Sequence, residues 1–151
     1  MSLICEIVTA ERTVFSGEVD YVNLPGHEGV MGILPNHSPL LTVLNYGEVY
    51  VRKDGETQYF AVGGGFAEVQ PDKVIILADS ADRADEIDLE KAESARAEAE
   101  RIMAEGVPDD PEKYRQIENS LRAAQIQIDV SMRRAVEMRQ RRGGPPQFDE
   151  H

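Results

Sequence analysis

The sequence predicts an antiparallel β-sandwich or flattened barrel followed by an antiparallel pair of helices. Three observations carry this. From Leu3 to Ala78 the apolar pattern runs mostly with period two, and from Leu89 onward at three- and four-residue steps. Between the two regimes, residues 80–86 read SADRADE, a polar connection with neither period. The expected organisation is a β-domain over residues 1–81, a helical hairpin over 82–142 and a disordered tail over 143–151.

In the first module Leu3, Cys5, Ile7 and Thr9 alternate, and Val14 and Phe15 lead to Val19, Tyr21 and Asn23. Residues 25–41, PGHEGVMGILPNHSPLL, are heavily punctuated. Gly26, Gly29 and Gly32 allow positive φ or close approach, while Pro25, Pro35 and Pro39 fix φ and withhold donors. We expect there a rigid corner that presents a surface, and neither a helix nor a plain hairpin. Further strands are expected at residues 48–53, 57–62, 66–69 and 73–78. Ser16-Gly17, Asn45-Tyr46-Gly47, Asp54-Gly55, Gly63-Gly64-Gly65 and Pro71-Asp72 are the expected turn signals between strands. Asp54-Gly55 is the strongest of these, because a two-residue hairpin turn requires positive φ. The triple glycine is not a phosphate loop: no Lys-Ser/Thr follows it and the next residues read as strand. It predicts a bulge or a close backbone approach inside the sheet.

In the second module a helix opens at Ile87-Asp88, with Asp88 as cap. Its face is Leu89, Ala92, Arg96, Ala99 and Met103, with Ala95 and Ile102 alongside. Gly106-Val107-Pro108 ends it, and Asp109-Asp110-Pro111 starts a longer helix. That helix shows Tyr114, Ile117, Leu121, Ala124, Ile128, Ser131, Ala135 and Met138 close to a heptad seam, widened by Ile126, Val130 and Met132. Gly143-Gly144-Pro145-Pro146 stops it. The first helix offers mostly alanine, and a buried methylene is worth only ~0.8 kcal/mol, so the hairpin is expected to be weakly held.

Composition bounds the function. The chain has 151 residues, a formal charge of −12 and a single cysteine. The charge disfavours contact with a nucleic-acid backbone. One cysteine excludes an internal disulfide, and Cys5 in an alternating strand reads as a small buried apolar residue. No apolar run is long enough to cross a bilayer and no signal peptide is read, so a reducing, aqueous compartment is expected. Residues 132–142 concentrate five arginines, Arg133, Arg134, Arg139, Arg141 and Arg142, against Glu137 alone. Such a patch suits either a solvated helix end or an acidic partner surface. No nucleophile–base pair, paired carboxylates or metal-ligand cluster is legible, so neither a catalytic residue nor a metal is expected. His37, between Asn36 and Ser38 in a turn, reads as a structural histidine bonded to nearby backbone.

Taken together, Phe15-Ser16-Gly17 after Thr9-Ala10-Glu11, Gly29-Val30-Met31-Gly32-Ile33-Leu34-Pro35-Asn36-His37-Ser38-Pro39-Leu40, Gly64-Gly65-Phe66-Ala67-Glu68-Val69 and the passage from Val74 into Ile87-Asp88 resemble the epsilon subunits of F-type ATP synthases. The resemblance runs to about Arg139. It implies a non-catalytic rotor subunit on the cytoplasmic face of the bacterial plasma membrane. Its sandwich would bind the foot of the gamma subunit and rest on the ring of c subunits. Its helices would fold down on the sandwich or extend toward the alpha/beta hexamer and inhibit ATP hydrolysis. His27, Glu28, Gly29, Val30, Met31 and His37 would serve the gamma and c-ring contacts. Some relatives carry a carboxylate where Val30 stands, and Glu28 is the nearby acid. Arg133, Arg134 and Arg139 would serve the inhibitory contact.

The alternative reading is an ATP-sensing module. Some relatives bind ATP on the folded hairpin through an Ile/Leu-Asp-x-x-Arg-Ala motif, here Ile87-Asp88-Leu89-Glu90-Lys91-Ala92. Lys91 lacks the planar fork of arginine. Asp82 would meet the adenine amino group and Arg122 a phosphate. Glu98 and Ile126 fall where further cations are wanted, so no cofactor beyond weakly held ATP is implied.

Overall fold

The computed structural model describes residues 2–106 and 108–142. The expected tail over 143–151 lies outside the described residues. Eight strands, β1 (Leu3–Val8), β2 (Thr13–Val19), β3 (Tyr21–Gly26), β4 (Gly29–Ile33), β5 (Leu40–Lys53), β6 (Glu56–Gln70), β7 (Lys73–Ala78) and β8 (Ala81–Arg83), form one sheet. A 3-10 turn (Ala84–Glu86) leads to helices α1 (Leu89–Ala104) and α2 (Pro111–Arg142).

The strands lie in the order β2-β1-β7-β6-β5-β3-β4, with β8 on β6. The two long strands, β5 and β6, belong to both layers of the sandwich. Residues 65–70 of β6 pair β7 and residues 60–62 pair β8, while β5 pairs β3 chiefly through residues 50–52; the fold lies at Asn45 and Gly64, where the ladder skips from Leu44↔Gly65 to Tyr46↔Gly63. Gly64 and Gly65 take φ of +88° and +123°, and a Cβ on Gly65 would collide with the Leu77 carbonyl. The triple glycine is therefore the expected close approach. It is not a break between strands: neither it nor Asn45-Tyr46-Gly47 ends a strand, because the chain bends without leaving the ladder. Ser16-Gly17 likewise lies within β2.

Two further details depart from expectation. Residues 26–29 close a tight β3–β4 hairpin, Gly26 pairing Gly29 with His27 and Glu28 at its tip. The punctuated corner therefore contains a hairpin, made possible by Gly29 at φ +144°. One pairing, β1 with β7, is parallel. Sixty-odd residues separate these strands, so no tight turn imposes an antiparallel sense. The sheet has open edges at β2 and β4 and does not close into a barrel. Asp54 (φ 50°) and Gly55 (φ 81°) make the expected two-residue turn between Lys53 and Glu56.

The core between the layers is apolar and continuous, from Leu3, Cys5 and Ile7 through Val22, Leu24 and Ile33 to Phe60, Val69, Val74 and Ile76. Cys5 is fully buried there, and burial pushes its thiol up to about 12. It behaves as an apolar residue.

Helix α1 packs on α2, and α2 packs on β6, β5 and the 3-10 turn. Ala92 and Ala99 of α1 and Ala124 and Ile128 of α2 are buried between the helices. The expected seam fails beyond Ile128: Ala135 is exposed and Met138 is 37% exposed. The reason is length. Helix α2 has 32 residues and α1 only 16, so α1 runs out before the second half of the seam. There α2 turns Val130 and Ile126 onto Ala61, Tyr59, Ala84 and Ile87, a small cluster separate from the sandwich core. Strand β8 crosses the expected 81/82 boundary, since Asp82 and Arg83 pair with Ala61 and Phe60.

Candidate functional site

The outer faces of the two layers differ sharply. On one, cross-strand neighbours Val43, Phe66 and Leu77 form an apolar row that is 49%, 51% and 55% exposed. Leu41 and Ile4 extend it as exposed residues of the same face. The periodicity that makes residues 40–44 and 66–77 strands also aims these side chains outward, opposite Leu44, Ala67, Val74 and Ile76. The other outer face is covered by α2.

The β3–β4 tip lies at the rim of that second layer. His27 holds its place by donating its backbone N–H to Val43 O (2.8 Å), and its Nδ1 shares a hydrogen bond with Asn45 Oδ1 (3.2 Å). Glu28 and Gly29 are exposed, and Val30, at 76%, is the most exposed large apolar residue described. Met31 turns inward against the core. His37 stands apart from this tip: Asn36 N–H donates to Pro71 O, which sets His37 beside the β6–β7 turn. There its Nδ1 bonds Ser38 O at 2.7 Å.

Across the α2–sandwich contact, polar groups frame the small apolar cluster. Gln127 Nε2 donates to Asp82 Oδ2 (2.9 Å) at one end. Arg133 Nη1 donates to Glu48 Oε1 (2.7 Å) at the other. The Glu48 side chain is only 20% exposed. Its pKa is raised: burial is the main cause, Arg133 offsets part of it, and Asp129 on the same helix adds to the rise. Tyr59, bonded to Glu137, is pushed up to about 12, chiefly by burial and then by that carboxylate. Arg134 faces a cleft shared with Tyr59, Arg83 and Arg141. Arg139 is exposed, and neither it nor Arg134 makes an ion pair among the described residues. The three arginines grouped by sequence therefore have three different surroundings. Glu48 and Tyr59, which complete this contact, carried no sequence signal beyond strand alternation.

Of the residues expected to hold nucleotide, Asp88 and Arg122 are engaged within the helices. Asp88 Oδ1 accepts the Lys91 N–H (3.1 Å) as the α1 cap. Arg122 pairs Glu118 (3.1 Å) one turn back on its own helix. Ile87 packs in the small cluster, Ala92 is buried between the helices, and Lys91 is exposed. Beside Asp82 and Gln127 the remaining cavity is about 10 Å³, room for one water at most. No metal-binding group of His, Cys, Asp and Glu is found among the described residues, and no described helix is long and apolar enough to cross a membrane.

Comparison with known proteins accounts for both modules. Residues 2–84 match the family model for the ATP synthase delta/epsilon chain β-sandwich domain, and residues 85–132 match that for its long α-helix domain. An ATP synthase epsilon chain of Herpetosiphon aurantiacus is 49% identical over 131 residues, 87% of this chain and 95% of the relative. One of Dehalococcoides mccartyi is 47% identical over 135 residues, 85% and 91% of the two chains. Among solved structures, a chain in the OSCP/F1/c-ring assembly of the Euglena gracilis mitochondrial ATP synthase superposes with TM-score 0.70 at 25% identity, covering 89% of this chain and 81% of that one. With both domain models matched in order and near-full-length relatives close to half identical, the chain belongs to the family of ATP synthase epsilon chains.

Proposed function

We propose that this chain is a non-catalytic central-stalk subunit, turning with the gamma subunit and the c ring and restraining ATP hydrolysis through its helices. The observation that carries the reading is the division of labour between the two outer faces of the sandwich. One is occupied by the chain's own α2, while the other offers the bare row Val43, Phe66 and Leu77. An exposed apolar row on a rigid sheet suits a permanent protein contact, and the foot of gamma is its proposed occupant. The β3–β4 tip, with Glu28, Gly29 and Val30 exposed, is the proposed point of contact with the c ring. In the complex the chain would lie peripherally on the cytoplasmic face of the bacterial plasma membrane.

The inhibitory role rests on how little holds α2 down. Ala61, Ala84 and Val130 are the buried residues of its apolar contact with the sandwich, against nineteen in the sandwich core. A contact of that size separates at a cost of a few kcal/mol, the scale of a conformational switch. Released, α2 would offer Arg133, Arg134 and Arg139 to an acidic face of the alpha/beta hexamer.

Copurification with gamma tests the docking face. Phe66→Asp places a charge in the middle of the row without touching the core, and should abolish capture of the subunit by gamma. Undiminished capture of a correctly folded Phe66→Asp chain would refute the assignment of that face.

A further inference from the structure

We propose that Glu48 is a docking receptor on the sandwich that admits α2 only when a cation stands at position 133. Glu48 lies on β5, on the face that α2 covers, with its side chain four-fifths removed from water. Arg133 is the cation that reaches it, at 2.7 Å. The other groups around that carboxylate do not replace it. Asp129, one turn earlier on α2, has the same sign, and the phenols of Tyr50 on the same strand and Tyr59 on β6 bring no cation. His27 and Glu28 line the same open cleft, with no hydrogen bond to the Glu48 carboxylate among the described residues.

The energetics of such a pair are asymmetric. Burying a carboxylate costs more than a single half-exposed guanidinium returns, so the intact pair adds little to docking over a neutral pair. Removing only the cation leaves a largely buried charge unpaired, which is worse than either intact arrangement, by an amount that solvent screens because Arg133 is itself 57% exposed. Glu48 thus acts less as glue than as a check on register. Helix α2 sliding by one turn would bring Asp129 or Glu137 toward it, with the wrong sign.

The consequence for regulation rests on the movable-helix reading above. Arg133 is also one of the arginines assigned to the hexamer contact. Docked and extended placements would then compete for one guanidinium, and withdrawal of Arg133 to an external acid would by itself loosen α2 from the sandwich.

The test uses the isolated full chain and amide hydrogen exchange across residues 120–140. Arg133→Ala should accelerate exchange there about three- to tenfold while β6 and β7 stay protected. Glu48→Gln should by itself leave α2 at least as protected as in the original chain. The double variant Glu48→Gln/Arg133→Ala should recover most of that protection, because no unpaired charge remains. Lost packing of the arginine stem would not be rescued by a change on the sandwich. Unchanged exchange in Arg133→Ala, or failure of Glu48→Gln to rescue it, would overturn the proposal. ATP hydrolysis by the assembled enzyme reports separately on the inhibitory role, so the failure of one reading is distinguishable from the failure of the other.

Discussion

Gln127 of α2 donates a 2.9 Å hydrogen bond to the carboxylate of Asp82 on β8, joining the helical hairpin to the sandwich. The acid that resemblance assigns to a nucleotide is satisfied by the chain's own amide. Asp88 and Arg122 are similarly engaged, with the α1 N-terminus and with Glu118. Binding would have to break these bonds and open a space of about 10 Å³ to the size of a base.

Millimolar ATP should therefore neither raise the Tm of the isolated chain nor give heat in a calorimetric titration. A ligand that binds only the native state stabilises in proportion to RT ln(1 + [L]/Kd), so a clear rise in Tm would show that the site opens.

Val130 is fully buried in the contact between α2 and the sandwich. Val130→Asp should undock α2 at a cost of about 3 kcal/mol, the scale of an unpaired buried charge. The sandwich should keep its own cooperative transition, because its core is a separate cluster. Loss of both transitions together would show instead that the modules fold as one.

Asp88 caps α1 through a bond to the Lys91 N–H. Asp88→Ala should cost about 1 kcal/mol of local stability, measured as faster exchange confined to α1. Exchange spreading equally through α2 would show that the two helices open as a single unit.

Docking should strengthen on mild acidification. Burial raises the Glu48 pKa in the docked state above the ordinary 4.5, and release returns the carboxyl to water. The docked state therefore binds this proton more tightly. Its contribution is lost as pH rises through the docked value and is complete below the ordinary one. Spin labels on α2 and β6 should report a larger docked fraction as pH falls toward 4.5, with the response flattened in Glu48→Gln. A docked fraction that falls over that window, in the wild type alone, would reverse the assignment.

Much of this architecture was legible in residue order. Alternation located the buried sets of β1, β6 and β7, and Asp54-Gly55 located the longest hairpin. The glycine at 65 announced a backbone contact that a Cβ forbids. Glycine was less informative as a sign of where strands end. Gly17, Gly47 and Gly63 look like breaks but lie inside continuous strands, and at Gly47 and Gly63 the lack of a side chain serves close packing rather than turning. At Gly47 the Pro25 ring occupies the space, and at Gly63 the Ser80 side chain does.

The candidate site was less legible because it is built from long-range pairs. Arg133 and Glu48 stand 85 positions apart, and Gln127 and Asp82 stand 45 apart. Local spacing marks the arginine cluster but cannot show which member finds a partner. The small cluster beneath α2 is equally hidden: Ala61 and Ala84 look unremarkable in their own segments and matter only once β8 brings them under Val130.

ATP hydrolysis in the reconstituted synthase reports on a rigid sheet carried by the rotor with a weakly docked helical brake. Full-length chain should be compared with one ending at Ile87, which retains β8 and the whole sandwich core. Both should assemble with gamma and the c ring, and hydrolysis should rise when α1 and α2 are absent. Equal hydrolysis by two fully assembled complexes would contradict it.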